Sequence, residues 1–217
     1  MTGSRPTLFH TAETHRGTFD ALAPDAVLTH VVRPDWLARA QSGMSPDLEA
    51  EIVGAIRAAE GPTLCTCSTI GPAAEKAGAL RIDWPMMQVA ARLGGPVLMA
   101  YALESTRTPS RALLERAFAE AGKPCDVTLL DLTDLWPLCI GGKPGEFADA
   151  IAARLAVALT ERDYACAVLA QASMAAAAGR TQTRLPVLTS PELALRALLA
   201  GSVRRADPSG CPSRHRT

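Results

Sequence analysis

Seven short apolar runs, separated by amphipathic stretches, constrain this chain more than any other feature. They span Thr7–Ala12, Val27–Val32, Pro62–Thr66, Pro96–Ala102, Cys125–Leu132, Ala165–Ala170 and Leu185–Leu188. Most lack the polar alternation of a half-solvated strand, so they read as strands buried on both faces of parallel sheets. The stretches between them carry helix signals. Ser45 is placed to cap a helix with Pro46 at its first position, and Leu48, Ile52 and Ile56 form its apolar stripe. Thr108-Pro109 is expected to open a second helix, lined by Leu113, Leu114, Ala117 and Phe118 and ended by Gly122. Phe147, Ile151, Leu155 and Leu159 mark a third, and Ser190-Pro191 opens a fourth containing Leu195 and Leu199. Strands alternating with helices of this length imply βαβ units and an α/β fold.

Composition narrows the function classes. The 217 residues include 22 basic and 22 acidic side chains, without the basic excess of a nucleic-acid binder. The longest apolar stretches, such as Pro96 to Leu103, are too short to span a bilayer. Arg5, His10, Glu13 and His15 crowd the N-terminus and leave no apolar core for a secretory signal, so a cytoplasmic protein is expected. Its six cysteines are then expected to be reduced. Cys65 and Cys67 form C-x-C, but no second Cys or His pair completes a tetrahedral zinc set, so no metal is expected. Gly141-Gly142-Lys143-Pro144-Gly145 lacks the ending of a phosphate loop and reads as a lid or plain turn. Trp36, Trp84 and Trp136 read as core or lobe-interface residues. Residues 202–217, rich in Arg, Ser and Pro, have little to bury and read as a disordered tail.

Two strand-to-helix turns stand out. One runs Leu64-Cys65-Thr66-Cys67-Ser68-Thr69 and then Gly71-Pro72; about a hundred residues later comes Leu169-Ala170-Gln171-Ala172-Ser173-Met174. They suggest an internal duplication whose halves face each other. Ligands in open parallel sheets bind at the carboxyl ends of strands, where both turns lie. Cys67 sits at such an end, just before an expected helix N-terminus, a setting that favours a thiolate. Ser68, Thr69 and nearby backbone N–H groups would cradle a carboxylate. A thiolate beside that cradle can remove a proton α to the carboxylate while the cradle stabilises the developing charge. Equally, a strand-end cysteine can be a small buried residue and nothing more.

Thr66-Cys67-Ser68-Thr69 followed by Gly71-Pro72 resembles the first cysteine motif of the aspartate/glutamate/hydantoin racemase superfamily. Leu8-Phe9-His10-Thr11 resembles that family's first strand, whose end faces the substrate. Arg81-Ile82-Asp83 with Met86, Thr106-x-Thr108-Pro109, Val168-Leu169-Ala170-Gln171 and Pro186-Val187-Leu188-Thr189-Ser190-Pro191 match later segments in order. The resemblance covers residues 6 to 200 and implies two pseudosymmetric lobes, each a parallel sheet flanked by helices, with the active site in the inter-lobe cleft. Lobe 1 is expected over 1–95 plus 188–201, and lobe 2 over 96–187. The resemblance also implies a cofactor-independent site for a small carboxylate substrate. A homodimer is left open.

The sequence departs from that pattern at one decisive place. The family uses two thiols, one on each face of the α-carbon, and Gln171, which cannot titrate, stands at the second position. Neither Cys139 nor Cys166 occupies the motif. The reading is therefore a racemase or isomerase-type enzyme with Cys67 as thiol acid/base. His10 is a further proton-transfer candidate, near a strand end facing the cleft. Thr11, Ser68, Thr69, Thr106, Gln171 and Ser173 are the candidate substrate-binding residues. Ser173 reads equally well as a helix cap, and Asp83 and Asp131 read mainly as solvated or capping carboxylates. The alternatives are a decarboxylase or lyase with one proton-transfer cysteine, and a non-catalytic protein that binds a small carboxylate.

Overall fold

The computed structural model describes residues 5–206. Its first half contains β1 (Thr7–His10), α1 (Thr14–Leu22), β2 (Thr29–Val32), α2 (Pro34–Ala40), α3 (Pro46–Arg57), β3 (Thr63–Cys65), α4 (Gly71–Lys76) and β4 (Leu80–Arg81). Helix α5 (Trp84–Leu93) leads into β5 (Val97–Tyr101), α6 (Glu104–Glu120), β6 (Val127–Asp131), α7 (Trp136–Ile140), α8 (Pro144–Ala158), β7 (Cys166–Leu169), β8 (Val187–Leu188) and α9 (Ser190–Ala206). A 3₁₀ run over Ala172–Arg180 follows β7.

The strands form two four-stranded parallel sheets, ordered β2-β1-β3-β4 and β6-β5-β7-β8. Adding four to each strand of the first order gives the second, so the duplication suggested by the two turns is present in the topology. Each sheet is covered on both faces, as the unbroken apolar runs require. In the first, Phe9 and Cys65 pack beneath α2, α3 and α4, while Leu8 and Leu64 meet Phe19 of α1 and Leu195 of α9. In the second, Met99 and Val168 pack on α5 and α6, while Leu98 and Leu169 meet Phe147 and Ile151 of α8. Successive strand residues thus enter opposite cores, the period-2 geometry of a strand.

Two helices exchange lobes. Helix α5 follows β4 yet packs on the second sheet, through Met86, Met87, Ala90 and Ala91. Helix α9 follows β8 and returns to the first sheet, through Ala194, Leu195 and Leu198. The expected boundary at residue 95 therefore falls after α5, whose packing belongs with the second sheet. Helix α9 runs to Ala206, into the stretch expected as a tail; residues 207–217 lie outside the described residues.

Local signals explain most element ends. The Ser45 hydroxyl accepts the Leu48 N–H at 3.2 Å and caps α3, as its spacing predicts. Gly122, at φ +65°, follows the end of α6. There Lys123 N–H reaches Phe118 O and Gly122 N–H reaches Ala119 O, a Schellman closure. The start of α6 corrects the expectation at Thr108-Pro109: the helix begins at Glu104 and Pro109 lies inside it. Proline so near the start removes one hydrogen bond, and burial of Thr106 and Ser110 holds the preceding turn helical.

Candidate functional site

In each sheet the chain leaves its first strand for one neighbour and then crosses to the other side. The switch points lie between β1 and β3 and between β5 and β7, where ligands of open parallel sheets are expected. The carboxyl ends of these four strands converge on one inter-lobe cleft. The first lobe contributes Thr11, His15, Cys67 and Thr69, and the second Leu103, Thr106, Gln171 and Ser173. The cleft encloses about 490 Å³, part of it open to solvent.

Cys67 lines this cleft and is 8% exposed. Its C-x-C partner Cys65 points into the core, and its thiol donates to the Cys67 carbonyl at 3.5 Å. Burial pushes the Cys65 thiol far up, so it stays protonated. The expected helix-terminus effect on Cys67 has little structure to act through. A three-residue turn, 68–70, separates the thiol from α4, and α4 has only six residues. Gly71 at its start is required by a close approach: a Cβ there would lie 2.8 Å from Arg81 Nε. Arg81 is fixed in that place by two bonds to Asp83, at 3.2 and 3.0 Å, with both residues buried.

The hydroxyls of the first turn tie the lobes together. Ser68 donates to the Ala170 carbonyl at 2.9 Å, one residue before Gln171. Thr69 Oγ1 lies 3.1 Å from Ser105 Oγ and 3.3 Å from Thr106 Oγ1. Gln171 is equally constrained. Its Oε1 accepts the Ala102 and Leu103 N–H groups at 2.7 and 3.0 Å. Because both partners are donors, the amide orientation is fixed, and the NH₂ group takes no part in these two bonds.

His10 stands elsewhere than expected. It is fully buried and does not line the cleft; its Nδ1 lies 2.9 Å from Thr66 Oγ1 and its Nε2 2.8 Å from His30 Nδ1. Burial, aided by His15, His30 and Arg16, lowers its pKa to about 3. The imidazole at the cleft is His15, lowered to about 4 by burial. Asp83 and Asp131 do not line the cleft: Asp83 holds Arg81, and exposed Asp131 accepts from Thr133.

His15, Trp136 and Cys139 are cleft residues that the sequence motifs do not single out. Burial pushes the Cys139 thiol up, partly offset by a hydrogen bond with Ser173. Cys166 is inside β7, raised to about 11 by burial. Among the described residues no three His, Cys, Asp or Glu side chains are grouped to hold a metal ion, and no helix is long and apolar enough to cross a membrane.

Strand order, sheet covering and the inter-lobe cleft define the two-lobed α/β fold of the amino-acid and allantoin racemases. Glutamate racemase from Francisella tularensis, in complex with D-glutamate, matches with TM-score 0.69 and 9% identity, over 98% of this chain and 86% of its own. Allantoin racemase from Klebsiella pneumoniae matches with TM-score 0.66 and 18% identity, over 93% and 89%. Aspartate racemase from Picrophilus torridus gives TM-score 0.66 and 13% identity, over 93% and 95%. At these identities the likeness is one of fold. No family model matches the chain, and no curated protein does either.

Proposed function

We propose that this protein is a cofactor-independent racemase or isomerase-type enzyme acting on the carbon α to a carboxylate or related carbonyl, with Cys67 as its thiol acid/base. One observation carries the reading: Cys67 and Gln171 line the same cleft from opposite lobes, each beyond the carboxyl end of a switch-point strand. Thr69 and Thr106 hydroxyls and the Gln171 NH₂ supply donors for the substrate oxygens. Ser68 sets the distance between the two turns through its bond to Ala170.

The lining also bears on substrate class. Among the described residues its polar members are Thr, Ser, Cys, Gln and His, and none is Asp, Glu, Lys or Arg. A zwitterion with a second carboxylate would leave charges unpaired there, which is costly in a sheltered site. A monoanionic acid or a neutral ring amide, of the kind named for the allantoin racemase neighbour, is the better match. The test is solvent exchange: candidate acids and ring amides are incubated in heavy water, and deuterium is followed at the α-carbon. Exchange that disappears in Cys67→Ser supports the assignment. Undiminished exchange in Cys67→Ser overturns it. A second reading, a one-thiol decarboxylase or lyase, is favoured by the non-titrating Gln171, and release of carbon dioxide or an unsaturated product distinguishes it.

A further inference from the structure

The first lobe contains a line of hydrogen-bonded groups that the proposed chemistry at Cys67 does not use. It begins at the cleft with His15, whose Nδ1 lies 3.5 Å from Thr66 Oγ1. Thr66 Oγ1 is 2.9 Å from His10 Nδ1, and His10 Nε2 is 2.8 Å from His30 Nδ1. His30 Nε2 is 3.0 Å from Asp20 Oδ1, and that carboxylate is 60% exposed. The His10 and His30 ring planes differ by only 16° with centroids 5.0 Å apart, as expected for rings joined edge to edge by an in-plane N–H···N bond. The line runs unbroken from the cleft to the outer surface.

We propose that His15 is a second acid/base of the cleft, and that Thr66, His10, His30 and Asp20 form the path by which its proton reaches solvent. This deepens the carbon-acid reading and rests on it for the reaction served, although the path itself needs no substrate. Two proton arrangements satisfy every link. In the first, His30 Nε2–H donates to Asp20, His10 Nε2–H to His30 Nδ1, Thr66 O–H to His10 Nδ1, and His15 Nδ1–H to Thr66. His15 Nε2 then presents a lone pair to the cleft. In the second, His15 Nε2 has gained a proton and each proton along the line has moved one link. His15 Nδ1–H has passed its proton to Thr66, Thr66 to His10 Nδ1, and His10 Nε2 to His30 Nδ1. One proton enters at the cleft, and one positive charge appears on His30 beside Asp20. Release of the His30 Nε2 proton to solvent leaves the line neutral; His30 Nε2 then takes a proton from solvent, the line shifts back, and His15 Nε2 returns a proton to the cleft, which restores the first arrangement.

The surroundings favour this placement of charge. The buried His10 and the sheltered His15 both disfavour a cation. Arg16, paired with Glu13, adds a positive charge near His10. Arg33, at the end of β2, is already held by Asp35 and Glu51. His30 is the ring with a carboxylate in contact. In the second arrangement the single Thr66 proton can turn from His15 Nδ1 to the Phe9 carbonyl, 3.1 Å away.

The test is nitrogen-15 NMR of histidine-labelled full-length protein across pH, without substrate. As pH falls, His10 should change from its Nε2–H to its Nδ1–H tautomer and His15 from Nδ1–H to Nε2–H. Both changes should share the midpoint at which His30 becomes doubly protonated. Asp20→Asn, an exposed change, should lower that midpoint, because it removes the carboxylate in contact with His30. His30→Gln should abolish the joint change and slow α-deuteration several-fold where Cys67→Ser abolishes it. A His10 tautomer that stays fixed, a His15 that titrates separately, or a midpoint unmoved in Asp20→Asn overturns the path. The NMR results can be read even if no substrate ever exchanges, so failure of the path and failure of the carbon-acid reading are separable.

Discussion

Gln171→Met isolates what the glutamine does for the fold from what it does for a ligand. Methionine nearly matches glutamine in volume, so little cavity arises, but the acceptor for Ala102 N–H and Leu103 N–H is gone. Ala102 is fully buried, and its orphaned donor costs about 1–3 kcal/mol. Leu103 is half-buried at the cleft, where water can replace the lost partner, for about 1 kcal/mol. The sum is about 2–4 kcal/mol. With a urea m-value of about 3 kcal/mol per molar for a chain of this size, the midpoint should fall by about 1 M. Gln171→Glu keeps an acceptor oxygen for both amides and should lose less. Urea unfolding of the three proteins by circular dichroism makes the measurement. A Gln171→Met protein within about 0.5 kcal/mol of wild type would refute the idea that this oxygen closes the end of β5.

Three further outcomes are expected. Cys67→Ser should keep the circular dichroism spectrum and unfolding midpoint close to wild type while losing α-proton exchange, because serine is a far weaker acid at nearly the same volume. Stability should fall in acid: unfolded His10 and His15 take protons below about pH 6.5, whereas the folded rings resist until about 3 and 4. Stability is thus full above pH 6.5 and declines by up to about 1.4 kcal/mol per pH unit for each ring as pH falls toward those values; unfolding curves equal at pH 7 and 5 would contradict this. Asp83→Asn should destabilise by about 3–5 kcal/mol, because it leaves the buried Arg81 guanidinium with only the more distant, part-exposed Glu75 carboxylate at 3.8 Å, and a thermal midpoint unchanged from wild type would remove the pair from any structural role.

The sequence made the two strand-end turns legible because there a continuous apolar run gives way abruptly to small and hydroxyl residues. Pattern also located the Ser45 cap and the Gly122 stop, which are local devices. Misses came where tertiary contacts overrode local pattern. Strand β4 has two residues, Leu80 and Arg81, too few to show a period. Helix α6 starts before Pro109 although proline usually marks a first position. His10 is expected near the cleft because it lies close to a strand end. Strand alternation places it with Leu8 rather than Phe9, on the side where Phe19 packs 5.6 Å from its ring. His15 and Cys139 reach the cleft through loop and helix packing that no spacing encodes.

The two halves share a topology but have divided the chemistry unequally. After β3 the switch point presents a thiol; after β7 the matching position presents an amide whose oxygen binds the end of β5. That bond makes the second position a structural ligand as well as a cleft donor, so a thiol placed there by Gln171→Cys would free two backbone N–H groups as it restored a titrating group. The first lobe holds the other titrating side chain of its own cleft wall, His15, linked through Thr66 to buried histidine. Thr66 lies between Cys65 and Cys67, so the residue that joins this line is carried by the same turn that presents the thiol. Proton-transfer capacity is thereby concentrated on the first lobe's two strand ends, while the second lobe contributes hydrogen-bond donors and the weakly acidic, Ser173-bonded Cys139. Under the proposed function, a cleft built this way favours proton exchange with solvent over direct transfer between two opposed thiols.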